Sequence, residues 1–365
     1  MRLTRFKRIK METIEAFLTL VRLGIGKYSS ITSKKIDWPK VRELAERQGL
    51  YAVVLDGIEK LPVSSRPPRE NLLEWIGEVL QGYEYNFEQY KRTLGEMASF
   101  YNSHGYKMMV LKGYACALDW TKPEHRPCGD IDIWQFGRQK GADALITTEK
   151  EIKVDKSHHH HTVFNWGEFT VENHFDFINV HARKSNRELE KIFKELGTDD
   201  SHWVEVNGEK VYLPSSNLHA LFLMRHAVAH FSSTSITLRQ VLDWAFFVEK
   251  HNKEIDWKWF LDMMKKFHIM DFFNTINAIC VEELGFESRL FPQVQFNPFL
   301  KDRVLDDILN PKYSEEEPKY LIPRLLYKYR RWKGNSWKNE LCFNESLSST
   351  FFSGVWGHLL KPASI

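Results

Sequence analysis

The sequence is short of cysteine and gives it no local pairing. Cys116, Cys128, Cys280 and Cys342 lie far apart with no Cys-x-x-Cys among them. That excludes a zinc ribbon or a dense disulfide scaffold and suits a reducing compartment. Charge of one sign is also scarce. The net charge of 365 residues is +3 at pH 7, so polymeric nucleic acid, which selects for a strong basic excess, is not favoured as a partner. No apolar run approaches the ~20 residues of a membrane span, so no membrane association is expected. The start, Met1-Arg-Leu-Thr-Arg-Phe-Lys7, resembles the basic end of a signal leader. The apolar stretch Ile14–Gly26 nevertheless carries Glu15 and Arg22, and no Ala-x-Ala site follows. It reads as an amphipathic helix, and the expected compartment is the cytoplasm. There is no internal repeat, and the one biased tract is His158–His161.

What is present is aromatic. Twelve Trp and 25 Phe, within an apolar fraction of 43%, provide for a substantial core. The length suits a catalytic unit with helical additions. Helical patterning over the first 60 residues ends at Pro62, Pro67 and Pro68. Leu73, Ile76, Leu80, Tyr83, Phe87, Tyr90, Leu94, Met97 and Tyr101 then recur at alternating steps of three and four, the seam of one long helix that His104-Gly105 would cap. From there the pattern becomes mixed: a strand over 107–111, a short helix over 113–120, a strand over 130–136 and a helix over 139–148. Residues 161–166 and 168–174 alternate as a hairpin joined at Gly167. Helices resume at Pro214-Ser-Ser-Asn, with further stripes at Leu238–Val248 and Trp257–Phe267, and the proline-rich stretch 291–324 reads mostly as loop. The expected class is α+β: a helical segment over 1–90, a small mixed α/β catalytic unit over 91–213 and a helical segment over 214–365.

The most informative segment is Cys128-Gly-Asp-Ile-Asp-Ile-Trp134. Strand side chains alternate, so Asp130 and Asp132 share one face while Ile131 and Ile133 turn into a core. Two acids on one buried face repel unless a cation lies between them. Paired acids around Mg²⁺ are standard equipment for phosphoryl and nucleotidyl transfer.

The run Leu111-Lys112-Gly113, then Arg126, then Gly129-Asp130-Ile131-Asp132 resembles the polymerase-β-like nucleotidyltransferase superfamily. It is closest to a branch of uncharacterised bacterial nucleotidyltransferases. His226-x-x-x-His230 and Leu238-Arg239-x-x-x-Asp243-Trp244 are similar to that branch as well. The resemblance implies a short mixed sheet with helices on one side. Mg²⁺ (or Mn²⁺) would be held by Asp130, Asp132 and a third carboxylate, for which Glu172 is the candidate and Asp176 the runner-up. Thr170, Glu172 and His174 share a strand face. The implied reaction is transfer of a nucleoside monophosphate from an NTP such as ATP to a hydroxyl of an acceptor, small molecule or protein. Glu172 would serve as metal ligand or base. Lys112, Gly113 and Arg126 would meet the nucleotide, Gly113 by close backbone approach and Arg126 by its planar fork.

One position departs from the superfamily, where a small residue follows the first glycine: here it is Tyr114. The departure keeps alive an inactive relative that only binds or regulates. A toxin–antitoxin nucleotidyltransferase is a third reading. A zinc hydrolase is disfavoured because His226 and His230 have Ala227 where a His-Glu-x-x-His enzyme has its base. His174, His226 and His230 are expected to support the site. Arg239 and Asp243, spaced i, i+4, read as an ion pair beside it. His158–His161 is open to reading as a metal cluster, but a loop before a strand is preferred.

Overall fold

The computed structural model describes residues 2–27, 36–292, 295–313 and 318–343. Three helices come first, α1 (Arg2–Gly24), α2 (Trp38–Arg47) and α3 (Tyr51–Glu59). Asp37 caps α2 by accepting from the Lys40 N–H. Gly57 lets α3 lie against the backbone of α1, because a Cβ there would run into the Leu20 carbonyl.

The expected long helix is interrupted. α4 (Arg69–Val79) passes through a π-turn at Leu80–Glu84 into α5 (Tyr85–Ser103). The extra residue of a π-turn shifts the phase of the helix. Phe87, Tyr90, Leu94, Met97 and Tyr101 are buried as the seam requires, whereas Leu73 and Leu80 are exposed and Trp75 and Val79 take the core positions. Gly105, at φ +70°, ends α5.

Six strands follow: β1 (Met109–Val110), β2 (Ile131–Trp134), β3 (His161–Trp166), β4 (Phe169–His174), β5 (Trp203–Val206) and β6 (Glu209–Tyr212). They form one mixed sheet in the order β3-β4-β2-β1-β6-β5. β2 is parallel to β4 and antiparallel to β1, and β1 is parallel to β6. The hairpin at Gly167 forms as expected, with β4 starting one residue later, at Phe169. The β5–β6 hairpin was not expected; it turns on Asn207 and Gly208, both at positive φ. Helices α6 (Tyr114–Ala117), α7 (Gln139–Glu149) and α8 (Asn186–Leu196) connect the strands.

Helices cover both faces of the sheet, where the resemblance implied one. Ile131, Ile133 and Val110 pack with α5 and α7. On the other face Trp134 stacks on Phe177, which meets Phe193 of α8. The chain then turns into α9 (Ser216–Ser233), α10 (Leu238–His251), α11 (Trp257–Lys266) and α12 (Met270–Ala278). Trp244 of α10 packs on Phe260 and Trp257 of α11, so these tryptophans belong to the core. Phe231, Phe247, Phe260, Phe272 and Phe273 are fully buried, each contributing about 1.5–3 kcal/mol of transfer free energy. This core is continuous with α1, α2 and α3, so the first and last helical segments share one apolar cluster.

The stretch 291–324 holds more helix than expected. Asn297 caps α13 (Pro298–Leu309) by accepting from two backbone N–H groups, with Pro298 opening the first turn. Positions 293–294 and 314–317 of that stretch lie outside the described residues. α14 (Leu321–Gly334) and α15 (Ser336–Phe343) complete the described chain, and no helix among the described residues is long and apolar enough to cross a membrane.

Candidate active site

Strand alternation builds the site. β2 sends Ile131 and Ile133 into the core beneath the sheet and turns Asp132 to the opposite face, where it is only 2% exposed. Asp130 stands just before the strand, exposed at the mouth of a cleft. Because β2 and β4 are parallel neighbours in register, Asp132 lies directly beside Glu172, and Trp134 beside His174. Asp132, Glu172 and His174 thus present three ligand atoms within 4.8 Å of one another. Glu172 itself does not line the cleft. Asp176 leaves the group: it follows the end of β4 and pairs with Lys194.

His174 closes the group from the end of β4. Its Nδ1 faces the Asp176 carbonyl at 3.1 Å, which can only accept, so Nδ1 carries the proton. Its Nε2 lies 3.3 Å from Asp132 Oδ1 and 3.8 Å from Glu172 Oε2. Two carboxylates this close repel unless a proton, a donating ring or a metal ion offsets them. The carboxylate oxygens suit a hard divalent ion such as Mg²⁺ or Mn²⁺, whereas the imidazole suits a softer one.

Lys112 brings a fixed positive charge. Its Nζ lies 3.1 Å from Asp132 Oδ1 and 3.0 Å from His226 Nε2. An ammonium has only protons to give, so His226 Nε2 accepts. His230 Nε2 is 3.1 Å further along the same helix face. Burial, then the Lys112 charge, pushes His226 well below the ordinary imidazole range and keeps it neutral. At Asp132 burial works to raise the carboxyl pKa, but Lys112 and the His174 hydrogen bond outweigh it and hold the group far below the usual range. At Glu172 burial and the neighbouring Asp132 charge act together and raise it.

Gly113 follows Lys112 at φ +58°, and a Cβ there would strike the Tyr90 hydroxyl. That hydroxyl donates to the Asp130 carbonyl at 3.1 Å, tying the mouth of the cleft to α5. Tyr114, the departing residue, is buried and stacks on Phe87 in the core, so it leaves the cleft open.

The cleft, about 150 Å³, is walled by Leu223, His226 and Ala227 of α9 and by Arg239, Gln240 and Asp243 of α10. Asp243 has a different partner from the one expected. Arg126 grips it with Nε at 2.8 Å and Nη2 at 2.9 Å, and Trp120 Nε1 donates to it at 2.9 Å. Both ends of this salt bridge are buried, and Arg126 has its planar fork committed to Asp243. The Arg239 side chain makes one hydrogen bond, Nη1 to the Pro127 carbonyl at 3.3 Å, and lines the cleft.

His160 and His161 were missed as neighbours of the site. His161 pairs directly across the hairpin with His174, and its Nδ1 lies 3.7 Å from Glu172 Oε2. Burial, then the adjacent imidazoles, pushes His160 down to about 2 and His161 to about 3. The alternation of β3 carried the signal: once Phe164 and Trp166 face the core, position 161 turns to the carboxylate side.

The family model described as "Uncharacterised nucleotidyltransferase" matches residues 34–285. No curated protein matches the chain. One solved structure that it resembles is an antigenic nucleotidyltransferase-like protein from Paracoccidioides brasiliensis, at 16% identity, with 44% of this chain and 75% of that chain covered and a TM-score of 0.31.

Proposed function

This chain belongs to the uncharacterised nucleotidyltransferase family, and we propose that it transfers a nucleoside monophosphate from an NTP to a hydroxyl of an acceptor, with Mg²⁺ (or Mn²⁺) held by Asp130, Asp132 and Glu172. The observation that carries this reading is the in-register pair of Asp132 and Glu172, whose oxygens converge with His174 Nε2 beside an open cleft. A divalent ion bound there would offset the charge between the carboxylates and the phosphates and polarise the phosphoryl group.

The remaining chemistry falls to the chain's own groups. The acceptor oxygen attacks the α-phosphorus, a P–O bond forms, and the bond to pyrophosphate breaks with its electrons leaving on the departing oxygen. Glu172 either completes the hold on the ion, the proton then passing to water, or stands off it and, more basic than an ordinary carboxylate, takes the hydroxyl proton. Lys112 and Arg239 face the phosphates, and Gly113 lets the backbone approach them. Arg126, bound to Asp243, keeps the Pro127–Gly129 turn and α10 at a fixed separation and so sets the width of the cleft. The acceptor, a small molecule or a protein, enters from the α9–α10 side.

One observation favours a second reading, a binding protein without catalysis. Lys112 and His174 already compensate Asp132 without any metal. Incubation with each α-labelled NTP, Mg²⁺ or Mn²⁺ and a cell extract separates the two. Label on an extract component, or on the protein itself, supports transfer. Tight NTP binding with no label moved supports the second reading.

A further inference from the structure

A set of imidazoles gathers behind the carboxylates, away from the cleft. His160, His161 and His174 bring one ring nitrogen each within 4.8 Å of one another. Their ring centroids are 4.4 Å apart for His160 and His161, 5.5 Å for His160 and His174, and 5.3 Å for His161 and His174.

The backbone holds these rings in place. His161 and His174 are register partners across an antiparallel hairpin, which sets their Cβ atoms on one face. The His160 carbonyl accepts the N–H groups of both Phe175 and Asp176 at 3.0 Å, pinning the loop to the end of β4. His161 is only 7% exposed, and its Nδ1 is buried without a hydrogen-bond partner. His160 Nδ1 is buried and unpartnered as well. Buried polar atoms are almost always satisfied, so two imidazole nitrogens without a hydrogen bond, with only Glu172 Oε2 3.7 Å from His161 Nδ1, point to a ligand that accepts lone pairs.

We propose that His160, His161 and His174 form a second metal site, one for a borderline divalent transition cation of the zinc and cobalt class. Neutral imidazoles bind such ions well and bind Mg²⁺ poorly. Four-coordinate zinc sets its nitrogen ligands ~3.4 Å apart, so the rings rotate inward as the ion binds, leaving a fourth position for water. The site is coupled to the carboxylates through His174, whose Nε2 faces Asp132 at 3.3 Å. Zinc on the imidazoles draws that nitrogen away from Asp132, and micromolar zinc then acts as an inhibitor of whatever the carboxylates do.

The test is a Co²⁺ titration of the full-length protein in a large excess of Mg²⁺, read by visible absorption. The expected result is one equivalent bound with the intense ligand-field band of a tetrahedral nitrogen site, displaced by Zn²⁺ and not by Mg²⁺. His160→Gln and His161→Gln each weaken binding roughly tenfold or more, while Asp132→Asn retains the band. A weak octahedral spectrum, displacement by Mg²⁺, or unchanged affinity in both histidine variants overturns the proposal. Should a variant fail to fold, the band of the wild-type protein still decides. NTP labelling is a separate readout, so loss of the transfer reading leaves this one standing.

Discussion

Asp132 and Glu172 stand side by side across the parallel pair β2 and β4, one held far below the ordinary carboxylate range and the other raised above it. Two acids pushed apart in this way take different roles, one ionised to bind a cation and one able to accept a proton. Asp132→Asn is therefore expected to lower NTP-dependent labelling by about 10²-fold or more. Glu172→Gln also lowers the rate, and it flattens the acidic limb of the rate's pH profile. Initial rates across pH for the two variants check this; a Glu172→Gln protein with wild-type rate and profile removes the base from the account.

Arg126 and Arg239 both border the cleft but do different work. Arg126→Ala leaves Asp243 buried and uncompensated, at a cost of about 3–5 kcal/mol of stability. Arg239→Ala leaves every described salt bridge intact and is expected to weaken NTP binding about tenfold, with the unfolding midpoint nearly unchanged. Denaturant unfolding and NTP titration of both variants measure the contrast. Equal loss of stability in the two would contradict it.

His125 ties the cleft loop to the amino-terminal helices. Its Nδ1 meets Asp56 at 2.6 Å and its Nε2 meets Glu84 at 3.2 Å. Burial works to lower its pKa, but Asp56 and then Glu84 outweigh it and raise the value above the ordinary 6.5. A raised histidine stabilises fully below the unfolded value and loses that contribution as pH climbs through the folded one. The unfolding temperature of the wild type should fall, as pH climbs above the ordinary histidine value of 6.5, by more than that of His125→Gln. Parallel pH dependence in the two proteins would contradict the assignment.

How much of this was legible in the sequence depended on range. The 161–174 hairpin was readable because alternation and Gly167 agree. Asp130, Ile131 and Asp132 were readable because two acids flanking a core isoleucine have few structural uses. The β5–β6 hairpin carried its Asn207-Gly208 turn in plain view, but Trp203 is half exposed and the apolar alternation around it is weak. The π-turn at Leu80–Glu84 was hidden because apolar residues go on recurring at steps of three and four across it, although the buried face before the turn moves to Trp75 and Val79. The Asp243 partner lay beyond local patterning altogether. Arg239 is four residues away, yet Arg126, 117 residues away, holds the carboxylate. The loop that delivers it is set by packing between α6 and α10. The same limit hid His160 and His161, whose importance comes from β3 pairing with β4.

The most direct measurement is anomalous diffraction from crystals soaked with Mn²⁺ and a non-hydrolysable NTP analogue. The account predicts a manganese peak between the Asp132 and Glu172 carboxylates, with Lys112 Nζ moved off Asp132 toward the phosphates. Lys112 still seated on Asp132, with no manganese at either acid while the nucleotide is bound, would contradict it.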